Sequence, residues 1–430
     1  MNNATGKKTR VDGIGLWRSW TRNFKTKQLA LLDLIDNSLD AAVQGPNCSY
    51  RNLFNGRVHI YPDTYKASNG PATAPTTTTG LCIMNNCVKA IRPLGEVLEV
   101  YNSSKVHSGA GDIGENGVGL KQGCATLCDL SFVLVKNESD DNIELGIVAK
   151  DLQKEEGCYL PAFPFSIAGS RSLKDQMIET FSQPDNADVA NCIAQYGAVS
   201  SASDSNLIAG VERLCRHADS SFFKDRYVFM VILDKVRNGQ ADEYVRSAHD
   251  AQQKITVNKL LKDLWSEIPR TYLHVPNEFE FMIGGKRAEF KYWPKRLVEL
   301  SSFAVNVNKK IPWQSKFDTS SNHPASYELR VFIGFDGMKV TDSTAAKEAS
   351  LYVYSRQSGR LISHRPDART LLGLTAGGTD FCQGLTVIID DIGGNLPLNP
   401  TKQEGVFCVM LIVLPPFFIR EILTYSLVHL

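Results

Sequence analysis

The sequence contains no Gly-x-x-x-x-Gly-Lys-Ser/Thr stretch, which excludes the usual P-loop for phosphate. Its ten cysteines never form a Cys-x-x-Cys pair. Cys82/Cys87 and Cys124/Cys128 lack the spacing of a zinc ribbon or finger. They read as reduced, mostly buried thiols of an intracellular protein. Net charge is also scarce: 47 basic against 46 acidic residues leave +1, so any contact with nucleic acid has to come from a local patch. The opening MNNATGKKTR is polar and predicts no secretory leader. The apolar tail is broken by Pro415 and Pro416 and soon followed by Arg420 and Glu421, too short a run to span a bilayer.

With 430 residues, 43% of them hydrophobic and 22% charged, the chain is ordinary globular protein with room for two cores. Residues 28–42, QLALLDLIDNSLDAA, predict one amphipathic helix. Leu31, Leu32, Leu34, Ile35, Leu39 and Ala42 recur at helical spacing, so that face is buried. Asp33, Asp36, Asn37 and Asp40 fall at i, i+3, i+4 and i+7 and line the other side without a basic residue among them. Such a line is either an acidic face in water or a surface arranged for a cation or a metal-bound anion.

A second stretch shifts the balance. Gly111-Asp-Ile-Gly-Glu-Asn-Gly-Val-Gly-Leu-Lys-Gln-Gly123 carries five glycines and a lysine, then runs into apolar residues 125–135. Glycines let successive backbone N–H groups point at one anion, and a helix starting near Leu120 adds its positive end. Lys121 is placed to neutralise the charge. An acidic helix followed by this loop suits a nucleotide held through Mg²⁺ on one side and backbone amides on the other.

These residues resemble a family. Asp33-Leu-Ile-Asp-Asn-Ser-Leu-Asp40 is similar to the N-box, and Gly114-Glu-Asn-Gly-Val-Gly-Leu-Lys-Gln-Gly123 to the ATP-lid motif, of the GHKL ATPases. Within them the microrchidia (MORC) proteins are most alike. The resemblance implies an α+β fold: a two-layer Bergerat-type α/β sandwich binding ATP and Mg²⁺, followed by a transducer-like α/β domain. It makes Asp33 the general base and Asn37 the Mg²⁺ ligand, with Asp36 and Asp40 shaping the site or holding the fold. Gly114, Asn116, Gly117, Val118, Gly119, Leu120, Lys121 and Gly123 would cap the phosphates. Lys105, in a Ser-Ser-Lys segment like that preceding the microrchidia lid, would be a phosphate neighbour or an ordinary solvated lysine.

The chain also departs from the family. Its base is normally Glu, and Asp33 is one methylene shorter, so hydrolysis should be slow. Asn85 stands where the family has the Asp that accepts from the adenine amine, and Cys87 and Lys89 replace two glycines. An Asn oxygen can still accept that bond, but its NH₂ needs another partner.

Alternation and apolar runs predict strands at 57–61, 80–84, 130–135, 145–148, 226–234, 278–283, 330–335 and 349–354, and helices near 91–105, 173–182, 187–196 and 255–265. Trp17, Trp20 and Phe24 belong to a segment that docks, either as a local lid or, as the resemblance implies, across to a partner subunit. Cys215-Arg-His217 invites a catalytic reading, set aside because such neighbours in sequence seldom form a dyad in space.

The expected division is an ATP-binding domain at 1–240, a transducer domain at 241–404 and an apolar tail of unknown role at 405–430. In the second domain, residues 351–362 and Leu398-Asn-Pro-Thr-Lys-Gln-Glu404 resemble transducer motifs, and that match makes Lys402 the γ-phosphate sensor. The resulting expectation is an ATP-operated homodimeric clamp, intracellular, with a nucleus and chromatin favoured by resemblance alone. The alternative is a degenerate nucleotide-binding or interaction module without turnover. A histidine kinase is disfavoured, because no His sits on a recognisable dimerisation helix. The basic cluster Lys286, Arg287, Lys291, Lys295 and Arg296 reads first as a solvated face and second as a DNA contact.

Overall fold

Strand alternation decides the architecture. In β2, Leu81 and Ile83 pack into one apolar cluster while Cys82 and Met84 enter another, so the sheet is buried on both faces. The structure, a computed structural model, describes residues 12–24, 26–41, 56–65, 77–86, 91–100, 118–137, 142–198, 203–219, 223, 225, 227–237, 256–273, 275, 279–290, 297–307, 327–336, 350–355, 359–365 and 384–391. Its elements run α1 (Gly13–Thr21), α2 (Lys27–Ala41), β1 (Arg57–Tyr65), β2 (Thr77–Asn86), α3 (Leu94–Leu98), α4 (Gly119–Leu127), β3 (Leu130–Asn137), β4 (Asn142–Ala149) and β5 (Ala162–Ser166). Then come α5 (Leu173–Phe181), α6 (Ala187–Gly197), α7 (Ser203–Ala218), β6 (Tyr227–Asp234), α8 (Val257–Thr271), β7 (Glu280–Ile283) and β8 (Lys286–Arg287). The last are β9 (Leu297–Val307), β10 (Tyr327–Asp336), β11 (Ser350–Ser355), β12 (Arg360–Arg365) and β13 (Leu385–Asp391).

Eight strands form one sheet in the order β5-β4-β3-β6-β2-β1-β7-β8, antiparallel except where β1 meets β7. Helices α1, α2, α4 and α8 bury their apolar faces on one side. Leu31, Leu34, Ile35 and Leu39 of α2 are fully or almost fully buried there, each contributing about 1.5–3 kcal/mol. This is the expected sandwich. The stretch 150–224 adds to it: α5, α6 and α7 cover the opposite face, with Met177, Phe181, Ile193, Tyr196, Val211 and Leu214 in its core. Two of these helices match the expected segments; α7 was not foreseen.

The first sheet does not stop at residue 240, as the expected boundary had it. α8 places Leu260, Leu261, Leu264 and Ile268 in the first core, and β7 extends β1 in parallel, His59 opposite Met282. The cause is local. With β2 alone β1 would keep one edge unpaired, and Phe279, Phe281 and Ile283 enter the same core, so adding β7 there satisfies both backbone and side chains. β7 then turns into β8 through Gly284 and Gly285, both at positive φ.

The second sheet, β12-β11-β13-β10-β9, packs Leu297, Tyr352, Tyr354 and Ile388 with Leu273 from the end of α8. That end is where the two sheets meet: Leu273 N donates to the Gly359 carbonyl at 2.7 Å and Tyr354 OH to the Arg270 carbonyl at 2.7 Å. The N-terminal aromatic segment docks within its own chain, with Trp17, Trp20 and Phe24 buried and Thr126 Oγ1 donating to the Trp20 carbonyl at 3.0 Å. Among the described residues, no helix is long and apolar enough to cross a membrane.

Candidate functional site

The polar line of α2 is not a solvated face. Asp33 and Asp36 are 4% and 0% exposed and Asn37 is half-buried, between the sheet, α4 and the second sheet. Carboxylates leave water at a cost, so each needs a specific surrounding. The three residues find different ones.

Asp33 lies at the start of α4. A methyl group added at Gly119 would sit 2.3 Å from Asp33 Oδ2, so a larger residue would have to push the carboxylate aside. Val118, the N-cap of α4, supplies no side-chain cap, and a carboxylate beside this helix end is favoured by the unpaired N–H groups and the helix dipole. Further along, Gly123 lets α4 settle on α2, where an added methyl would be 2.8 Å from Leu34 Cδ2. Val118 and Leu120 are buried side chains that anchor the start of this helix. The acidic helix and the described end of the glycine stretch therefore meet.

Asn37 Nδ2 donates to the Asp33 carbonyl at 3.0 Å. That bond engages the carboxamide through its nitrogen and leaves Oδ1 the acceptor of the group. Asn85, 0% exposed near the end of β2, stands on the same sheet face as Leu81 and Ile83, which is the α2 face. Its Nδ2 donates to the Asn86 carbonyl at 3.1 Å, giving the NH₂ the separate partner that replacing Asp by Asn requires.

Two residues expected at or near the nucleotide find partners inside the protein. Asp36, assigned to the nucleotide, is bound within the protein: Tyr272 OH donates to its Oδ1 at 2.6 Å, and Arg360 Nε lies 3.0 and 3.2 Å from Oδ1 and Oδ2. Burial works against the Arg360 charge, but the Asp36 carboxylate, the Tyr272 hydroxyl and the Asp33 carboxylate together raise its pKa. Lys121, assigned to a phosphate, is 1% exposed, with Nζ donating to the carbonyls of Val97 at 2.6 Å and Glu99 at 3.0 Å. It closes the C-terminal end of α3, where an ammonium meets the negative end of the helix. Burial, aided by nearby Arg92, lowers its pKa to about 7. In both cases a polar residue on an exposed-looking face was covered by a distant segment.

Asp40 belongs to α2, and its side chain lies outside the described residues, as do Lys105, Gly114, Asn116, Gly117 and Lys402. Arg360 and Tyr272 were missed by the sequence reading. A buried arginine beside the Leu-Ile of a strand was the one available signal. His217 does not pair with Cys215; it meets Cys82 and Asp63 under α7.

No protein-family model and no curated protein matches the chain. Among solved structures it is similar to the ATPase region of Saccharomyces cerevisiae topoisomerase II, at 9% identity over 92% of this chain and 82% of that one, with a TM-score of 0.40. It is similar also to the ATPase and transducer domains of DNA topoisomerase II from Balamuthia mandrillaris, at 8% identity over 94% and 85% with a TM-score of 0.42. The B-subunit of DNA gyrase from Myxococcus xanthus aligns at 12% identity over 91% and 89% with a TM-score of 0.34.

Proposed function

We propose that the chain binds ATP with Mg²⁺ between α2 and α4, hydrolyses it slowly, and uses it to hold two copies together as a clamp of the microrchidia type. The observation that carries this reading is the approach of Asp33 to the N-terminus of α4 at Gly119, with Asn37 and Asn85 on the same side of the sheet. An anion-favouring helix end, a hard oxygen and a buried acceptor on one face fit a nucleotide and its metal. Mg²⁺ keeps several waters and binds substrate phosphates beside one or two protein oxygens, so Asn37 Oδ1 would be the residue to hold it.

When bound, the magnesium triphosphate supplies the bond to be cleaved and the neutralised phosphate charge. The chain's part is positioning. Asp33 would accept a hydrogen bond from the attacking water, its short side chain keeping turnover low. Asn37 would hold the metal, Asn85 the adenine amine, the backbone of 114–119 the phosphates, and Lys402 the terminal phosphate. A lysine reaching across from the transducer half would make domain arrangement depend on that phosphate, which is the differential contact a clamp needs. Chromatin as client and the nucleus as location follow from the microrchidia likeness alone.

A second reading is a binding module without turnover. It is favoured by the commitment of Asp36 and Lys121 to contacts inside the protein. Labelled ATP binding with Mg²⁺ and phosphate release, compared among wild type, Asp33→Ala and Asp33→Glu, separates the two. Release that Asp33→Ala abolishes and Asp33→Glu raises supports hydrolysis with Asp33 as base. Binding without release supports the module, and a fall with Asp33→Glu removes Asp33 from the role.

A further inference from the structure

The end of α8 and the start of β12 form one small unit. Tyr272 and Arg360 face each other in an isolated antiparallel bridge, Leu273 N donates to the Gly359 carbonyl at 2.7 Å, and Gly359 takes a positive φ just before the strand. The Arg360 guanidinium lies over the Tyr272 ring, 5.6 Å from its centre. Backbone pairing thus sets the two side chains together. Both close on one carboxylate, that of Asp36, with the hydroxyl on Oδ1 at 2.6 Å and Nε 3.0 and 3.2 Å from Oδ1 and Oδ2. Tyr272, Arg360 and Asp36 are 1%, 5% and 0% exposed.

A buried ion pair gains little over apolar side chains of the same volume, and its best-attested use is to fix register. What is fixed here is one turn of α2. Asp36 lies three residues after Asp33, about 4.5 Å along the axis and on the same face, and one residue before Asn37, about 1.5 Å along. Asn37 donates to the Asp33 carbonyl across that turn, so the three residues move as one piece. Arg360 also reaches Asp33: burial works against its charge, while Asp36, Tyr272 and Asp33 hold it. Near the start of α2, Gln28 Nε2 donates to Glu267 of α8 at 2.8 Å. The helix is therefore held at two points by α8 and the strand bridged to its end.

We propose that Arg360 and Tyr272 are positioning residues for the nucleotide site: docking of the second sheet sets the place and rotation of the α2 turn carrying Asp33 and Asn37, and with it the affinity for Mg²⁺-ATP. The inference rests on the reading of that site as a nucleotide site, and it adds a route between the two sheets that does not pass through Lys402. Misplacing a group by about 1 Å can cost on the order of a hundredfold in a site that works by positioning, so a hold on the adjacent residue is enough. Linkage makes the effect mutual. Whatever factor the docked sheet adds to nucleotide affinity, bound nucleotide adds to the docking of β12.

The test measures binding of Mg²⁺-ATP and of its non-hydrolysable imido analogue by the full chain, beside thermal unfolding. Tyr272→Phe removes one hydroxyl and changes no charge; it should bind on the order of tenfold more weakly while still folded. Arg360→Met combined with Asp36→Asn should regain much of the stability that Arg360→Met alone loses, yet still bind weakly. A fastening role alone gives the opposite result, with binding returning as stability returns. In Lys402→Ala saturated with the analogue, the amides of β12 should exchange more slowly than without it. Wild-type chain that binds no nucleotide removes the site and this inference together. Nucleotide binding by wild type that Tyr272→Phe and the double variant match, or β12 exchange that nucleotide leaves unchanged, overturns the inference alone. The single-hydroxyl variant decides it even if the others fail to fold.

Discussion

Asp36 of α2 and Arg360 of β12, 324 positions apart, form a buried ion pair, closed from the other side by Tyr272 at the end of α8. The helix carrying Asp33 and Asn37 is thus gripped by the second sheet one residue before Asn37. Buried pairs of this kind add little stability over apolar replacements, yet losing one member is costly, because the other charge is left dry.

Arg360→Met should therefore destabilise the chain by about 3–5 kcal/mol, and Asp36→Asn should return much of that loss when combined with it. Denaturant unfolding of the two single variants and the double variant checks this. Simply additive costs would show that the two side chains do not interact.

Gly119→Ala should destabilise by about 1–3 kcal/mol through overpacking against Asp33, since the added methyl falls 2.3 Å from Oδ2. Asp33→Ala in the same chain should relieve the strain. Thermal midpoints of the three variants report this directly, and an unrelieved cost would place the strain elsewhere.

Lys121 predicts a pH dependence. Its pKa falls from 10.5 to about 7 in the folded chain, so between these values the unfolded state binds more protons. By linkage, this residue's contribution makes stability rise with pH across that window, and below pH 7 its full penalty, on the order of 5 kcal/mol, is present. Lys121→Met should flatten the rise between pH 7 and 9. An unchanged slope in urea titrations over that range would mean that the ammonium is not desolvated.

Trp20 is 2% exposed and meets Trp17 edge-on at 6.2 Å. Trp20→Ala should cost about 3–5 kcal/mol in the isolated chain. A variant as stable as wild type when monomeric would instead assign this segment to contacts with a partner subunit.

Much of the framework was legible in one dimension. The spacing of Leu31, Leu34, Ile35 and Leu39 predicts α2, alternation predicts β1, β2 and β10, and the glycine stretch predicts a helix beginning within one residue of its observed start. Periodicity reports which side of an element is apolar, and that is enough to place it on a core.

The sequence by itself determined that Asp33, Asp36 and Asn37 share one stripe of one helix, because helical spacing is a local property of the backbone. Only the tertiary structure decided that Asp33 meets Gly119, that Asp36 is taken by Arg360, and that His217 joins Asp63 and Cys82 and not Cys215. Which partner covers a polar side chain depends on chain segments hundreds of residues away, and the cost of burying charge makes that partner its role.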